Sequence, residues 1–255
     1  MKPIAWITAL MLAATVSASE PLTTFVLAGQ SNMVGKRCKM EKLPEALQGE
    51  IPKAYFFHAQ SNSWIPLAAG VTERSGFGPE IAFAAAMVKG LGKPVGIIKV
   101  SRGGTNLHKQ WNPAVKSSLF NTLAKQVDAA GKVRPIHVAG MLWVQGGADA
   151  KTEEMAKAYS ENLRNLVQQS RERFGNCKMP FLSGRIPPKS NKTKPHWRLV
   201  RSAQQDLELE GYRWVECDDI PTGPDKIHYD EAGMIKLGER QADLMLGIME
   251  GNLSQ

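Results

Sequence analysis

An α/β fold, with helices on both faces of a mostly parallel sheet, is what this sequence of 255 residues predicts. Three observations point there. Apolar runs rich in β-branched residues recur along the chain, segments with helical periodicity separate several of them, and no internal repeat or low-complexity linker divides the sequence. With 43% hydrophobic residues the chain can bury one substantial core, which favours a single large domain over two small ones.

The first element reads as a leader. Lys2, an apolar stretch from Ile4 to Val16, and then Ser17-Ala18-Ser19-Glu20 follow the basic, apolar and small-residue order of a secretory signal. Val16 and Ala18 suit the two recognition positions, so cleavage after Ala18 is expected, leaving 19–255 as one domain in a secreted or periplasmic location. The apolar run is short for a membrane span, and Thr8, Thr15 and Ser17 dilute it. No later segment is long and apolar enough for an integral membrane helix.

Strands are expected at Thr23–Ala28, Ala54–Phe57, Pro94–Val100, Ile136–Val144, Met179–Ser183 and Arg213–Cys217. Helices are expected between and after them. Pro79-Glu80 followed by "IAFAAAMVKGLG" has the first-turn residues and the terminal glycines of a helix. "AVKSSLFNTLAKQVDAAG", "KTEEMAKAYSENLRNLVQQSRERFG" and "PHWRLVRSAQQDLELEG" read the same way, the last two ending at glycines that can serve as caps. The closing "DEAGMIKLGERQADLMLGIMEG" carries Ile235, Leu237, Leu244, Met245 and Ile248 as a core-facing stripe. Segments 36–52 and 60–78 read as surface loops that shape a pocket.

The formal net charge of +8 raises nucleic acid as a partner, but the basic residues are scattered. Lys189, Lys192 and Lys194 form the one dense cluster, without an aromatic ladder or a recognised motif, and a solvated loop explains them; no nucleic-acid partner is expected. Three cysteines are too few for a disulfide scaffold and lack metal-site spacing, so no metal or other cofactor is expected. Export permits one bridge, and Cys38 with Cys217 is the expected pair, because Cys177 and Cys217 flank parallel strands at opposite ends.

The chemistry-bearing stretches lie where strands end. In an open parallel sheet, ligands bind beyond the carboxyl ends of the strands. There, after "FVLAG", stand Gln30, Ser31 and Asn32. Gly29 permits a backbone conformation closed to other residues, and N–H groups of the following turn can face an anion. The motif is G-x-S-x-M, not the G-x-S-x-G nucleophile elbow.

A serine hydroxyl needs a base. Of the five histidines, His137 sits in an apolar run, and His58 and His196 have no acidic neighbour in the local sequence. His228 does, because "PDKIHYDEAG" sets Asp225 three residues earlier. That spacing lets a carboxylate accept the Nδ1 proton and leaves Nε2 outward as base.

Ser31 near the start, "SRGGTNLHKQW" after one buried strand, "WVQGGADA" after another and D-x-x-H near the end jointly resemble the SGNH esterase superfamily. The match is to its carbohydrate esterase branch of sialate O-acetylesterase-like and acetylxylan esterase proteins, over about Thr23 to Leu246. The resemblance implies a three-layer, flavodoxin-like sandwich and a serine esterase removing O-acetyl groups from carbohydrate. It makes Ser31 the nucleophile, His228 the base and Asp225 its orienting acid. It assigns the oxyanion to N–H groups of Ser31 and Gly103, with Gly104 as the neighbouring alternative, and to the Gln145 side-chain amide, each such donor lowering the barrier by about 3 kcal/mol.

One departure stands out. The branch often has Gln-Gly-Glu where this chain reads Gln145-Gly146-Gly147, which removes a carboxylate from the pocket region. Asp149 is two residues further on, a shift that changes which way a side chain points. Among substrate-binding candidates, Asn32 touches substrate or satisfies its own turn, and Glu80 reaches the pocket or favours a helix N-terminus. Arg102, Asn106 and Trp111 lie in or after the glycine stretch, Trp111 either stacking on a sugar ring or filling the core. Gly147 prompts a competing reading, a catalytically impaired carbohydrate-binding protein on an esterase scaffold. A metal-dependent phosphoesterase is weaker still, since histidines and acids show no ligand cluster.

Overall fold

The computed structural model describes residues 20–72, 76–188 and 193–251. The expected leader over 1–18 and the Lys189 and Lys192 part of the basic cluster lie outside them.

Seven strands form one sheet among the described residues: β1 (Leu22–Gly29), β2 (Glu50–His58), β3 (Ser63–Ala68), β4 (Val95–Ser101), β5 (Ile136–Val144), β6 (Phe181–Gly184) and β7 (Tyr212–Val215). Their spatial order is β3-β2-β4-β1-β5-β6-β7, with every neighbouring pair parallel except β2 and β3. β1 is therefore central, and all eight of its residues are buried. Its side chains alternate between two cores, as the two-residue period of a strand dictates. Phe25 and Leu27 face one, Val26 and Ala28 the other.

Among the described residues seven α-helices accompany the sheet: α1 (Ser31–Val34), α2 (Glu80–Leu91), α3 (Leu119–Val133), α4 (Glu153–Lys157), α5 (Tyr159–Arg173), α6 (Trp197–Gln205) and α7 (Glu231–Met249). α2 supplies Ile81, Phe83 and Met87 to the Phe25 side, and α7 supplies Met234, Leu237 and Met245. Glycine lets those two helices approach closely: a Cβ on Gly238 would stand 2.4 Å from the Pro79 carbonyl oxygen. The opposite core takes Leu123 and Val127 from α3, Leu163 and Leu166 from α5, and Trp197 and Val200 from α6. Each large apolar side chain removed from water in this way contributes about 1.5–3 kcal/mol. The result is the three-layer sandwich that the alternation of strands and helices predicts.

Several boundaries differ from the sequence reading. β3 falls inside the expected 60–78 loop, and β2 begins inside the expected 36–52 loop. Pro66 argues against a strand, yet it is tolerated because β3 is an antiparallel edge strand paired only with β2. α3 starts later than expected because Ser118 caps it, accepting from Asn121 N at 3.2 Å. The helix expected over 151–175 is interrupted at Ala158, where neither glycine nor proline marks the break.

The expected Cys38–Cys217 bridge is absent. Both are buried free thiols. Cys38 Sγ lies 3.8 Å from the Tyr229 carbonyl oxygen, and Cys217 Sγ lies 3.2 Å from that of Val215. Each thiol is thus spent on a backbone carbonyl, and Cys177 is exposed.

Candidate active site

Three strand ends meet above the centre of the sheet. Gln30 N donates to Val144 O at 2.9 Å, and Arg102 N donates to Gly29 O at 3.1 Å, so the ends of β4, β1 and β5 are laced together. Gly29 has φ 154, and a Cβ there would lie 2.2 Å from Val144 O. No other residue lets the chain turn this tightly between its neighbours. The turn sets Ser31 as the first residue of α1, where its N–H has no carbonyl of its own helix to bond.

Near the other end of the chain, residues 221–230 form a tight loop. Gly223 N donates to His228 O at 2.8 Å, Lys226 takes a left-handed φ of 56, and Asp230 caps α7 by accepting from Gly233 N at 2.8 Å. Asp225 Oδ1 accepts from the N–H groups of Ile227 and His228 at 3.0 and 2.9 Å. Its Oδ2 lies 2.7 Å from His228 Nδ1, and His228 Nε2 lies 2.9 Å from Ser31 Oγ. A carboxylate only accepts, so Nδ1 carries the ring proton and Nε2 offers its lone pair to the serine. Partial burial pulls the Asp225 carboxyl upward, but donation from the His228 ring and the two backbone N–H groups holds it well below the usual carboxylate range.

Two residues tie this loop to α1 and the turn after it. Asn32 Nδ2 donates to Ile227 O at 3.0 Å, and Asn32 Oδ1 accepts from Tyr229 N at 3.2 Å. The Asn32 amide thereby joins the serine's helix to the histidine's loop through both of its polar atoms. Arg37 Nη1 donates to Asp225 Oδ2 at 2.6 Å. Sequence reasoning missed both roles.

The oxyanion candidates separate. A Cβ on Gly103 would stand 3.9 Å from Ser31 Cβ, so Gly103 borders the serine. Gly104 turns through a left-handed φ of 74 and faces open space. Gln145 is 1% exposed, and its amide is spent. Nε2 donates to Thr105 O at 2.9 Å and to Asp149 Oδ2 at 2.6 Å, while Oε1 accepts from the Tyr159 hydroxyl at 3.1 Å. Gln145 therefore fixes the glycine loop from beneath instead of presenting N–H to a substrate. Asp149, set aside in the sequence, completes that support by accepting from Leu107 N and His108 N. Burial pushes its carboxyl up, against those hydrogen bonds.

Trp111 is a correction, and the other candidates have structural partners of their own. Trp111 is fully buried; its indole N–H donates to Thr105 Oγ1 at 2.9 Å and its ring stands edge-on to Trp143 at 5.1 Å. It fills the core and has no face for a sugar. Asn106 Oδ1 accepts from Lys109 N at 2.8 Å, a turn-capping role. Glu80 is fully buried. It forms a buried ion pair with Lys99 at 2.6 Å and also accepts from Gly78 N and Thr72 Oγ1. A lysine inside "GIIKVS" was the sequence signal for such a partner. At Gly147 a Cβ would meet Trp197 at 3.0 Å and Lys194 Nζ at 3.2 Å, so a side chain there would press on its neighbours.

Ser31 and Gly103 open on a cavity of about 780 Å3, walled by Gly35, Arg37, Lys39 and Gly76. The 36–52 and 60–78 segments thus shape it from one side. Among the described residues no group of three His, Cys, Asp or Glu side chains gathers as a metal site, and no helix is long and apolar enough to cross a membrane.

Comparison with known proteins bears on the family and the fold. The family model described as "carbohydrate esterase, sialic acid-specific acetylesterase" matches residues 21–247. A probable carbohydrate esterase of Arabidopsis thaliana is 25% identical over 236 residues, covering 86% of this chain and 88% of the plant protein. The solved structure of that Arabidopsis protein superimposes with a TM-score of 0.78 at 22% identity, covering 89% and 98% of the two chains. NanS follows with a TM-score of 0.72 at 15% identity over 92% and 99%. A carbohydrate acetylesterase from Xanthomonas citri gives 0.68 at 20% identity over 91% of this chain and 57% of its own. At these identities the structures establish the fold. The family match over nearly the whole described chain establishes more: this protein belongs to the carbohydrate esterase family of sialic acid-specific acetylesterases.

Proposed function

We propose that this carbohydrate esterase removes O-acetyl groups from carbohydrate through an acyl-enzyme on Ser31. One observation carries the reading: the unbroken chain of hydrogen bonds from Ser31 Oγ through His228 to Asp225. Ser31 Oγ attacks the acetyl carbonyl carbon as His228 Nε2 takes its proton. The N–H groups of Ser31 and Gly103 face the negative oxygen that results. Collapse breaks the bond to the sugar oxygen, which leaves with the proton from the imidazolium. Water, deprotonated by the same histidine, then attacks the acetyl-serine and releases acetate. Asp225 stays ionised throughout and keeps the imidazole in its reactive tautomer. The leader-like residues Lys2 to Ala18 support a secreted or periplasmic site of action.

A binding-only reading draws on Gln145, whose amide is committed elsewhere. The intact relay weighs against it. Acetate release across a panel of acetylated glycans, for the protein and for Ser31→Ala, separates the two. Release by the parent protein and none by the variant, at unchanged melting temperature, is expected. Turnover retained in the variant overturns the mechanism, and glycan binding without hydrolysis or labelling by a serine-directed probe selects the binding reading.

A further inference from the structure

Arg37 stands 188 residues from Asp225 in sequence, yet its Nη1 reaches Asp225 Oδ2 at 2.6 Å. That oxygen is the one that accepts the His228 Nδ1 proton. The other carboxylate oxygen is held by two N–H groups of its own turn. Arg37 thus holds the carboxylate by a side-chain hydrogen bond from outside its loop, while the Lys194 ammonium adds a longer-range attraction.

The arrangement has a cost that stability does not explain. Arg37 has φ 79, a left-handed backbone that disfavours any side chain but glycine's absence of one by about 1–2 kcal/mol. Its side chain is 59% exposed, and an ion pair so open to water adds little to folding. A strained, exposed arginine beside the reacting serine is accounted for by orientation of the relay.

We infer that Arg37 is a positioning residue: it fixes the Asp225 carboxylate so that the His228 imidazole stays aligned on Ser31, and it acts on kcat rather than on substrate affinity. The inference rests on the Ser31 hydrolase reading above.

The test compares Arg37→Ala, Arg37→Gly and Arg37→Lys with the parent protein on one acetyl ester. Glycine relieves the left-handed backbone, so Arg37→Gly should melt no lower than the parent. Both Arg37→Gly and Arg37→Ala should lose on the order of tenfold in kcat, with KM within about twofold; removing the acid itself costs about 10⁴-fold. Arg37→Lys, which keeps one charged donor, should fall between, and added guanidinium ion should restore part of the Arg37→Gly rate. Unchanged kcat in Arg37→Gly overturns the inference, as does a rise in KM with kcat intact, which would make Arg37 a substrate contact. Ser31→Ala assayed in parallel distinguishes the levels. If it remains active, the hydrolase reading fails and the inference falls with it; if it is inactive while Arg37→Gly matches the parent, only the inference fails.

Discussion

Replacing Glu80 by alanine should unfold this protein at a markedly lower temperature. Glu80 and Lys99 are 0% and 2% exposed and meet at 2.6 Å. Without the carboxylate, the ammonium keeps only the Val34 carbonyl at 3.4 Å and Thr72 Oγ1 at 3.5 Å. Gly78 N and Thr72 lose their acceptor as well. Breaking a buried pair from one side costs about 3–5 kcal/mol, because a charge stays behind with no compensation. For a domain of this size each kcal/mol lowers the melting temperature by roughly 2–4 °C, giving a fall of about 6–20 °C. The double variant Glu80→Ala/Lys99→Met removes both charges and should recover most of the loss. Scanning calorimetry at neutral pH measures both. A single variant within about 2 °C of the parent, or a double variant no better than the single, refutes the reasoning. Since Lys99 also holds the last carbonyl of α1, the single variant should lose activity before it loses its fold.

Three further outcomes follow from geometry and charge. Asp225 holds its proton less tightly when folded than when unfolded, so its contribution to stability is present at neutral pH and fades as pH falls from the ordinary carboxylate value through the depressed one. Urea melts of Asp225→Asn between about pH 5 and pH 2 should show a flatter slope than the parent, and an unchanged slope counts against the relay's charge state. Burial pushes the Cys38 and Cys217 thiols up to about 12, while Cys177 is exposed. Mass spectrometry after iodoacetamide at about pH 8 should find one adduct on the native protein and three in denaturant; more than one native adduct contradicts the burial. Gly29→Ala forces a Cβ to within 2.2 Å of Val144 O, and should destabilise by on the order of 3 kcal/mol or abolish soluble expression. A stable, active alanine variant disproves the tight-turn argument.

What the sequence revealed depended on how far each residue's partner lies along the chain. Asp225 and His228 are three residues apart, and Ser31 follows an apolar strand ending in glycine, so local pattern and family resemblance together named all three. The work of Asn32 depends on backbone groups 195 and 197 residues away, and that of Arg37 on a carboxylate 188 residues away. No local spacing encodes such contacts. Gln145 illustrates the opposite failure: the resemblance named the residue, but packing of Tyr159 and Asp149 around it decides where its amide points. Trp111 was undecided because an aromatic after a glycine stretch suits a core as well as a sugar. The parallel strands were legible because they are apolar on both faces. β3 was hidden because a proline and an exposed edge erase that signature.

The relay joins the first strand of the sheet to the loop ahead of the last helix, with 197 residues between Ser31 and His228. A nascent chain consequently holds a serine with no base until the loop carrying His228 has been made and has packed against α1. On the proposed mechanism, a chain cut anywhere ahead of His228 therefore carries the serine without its base.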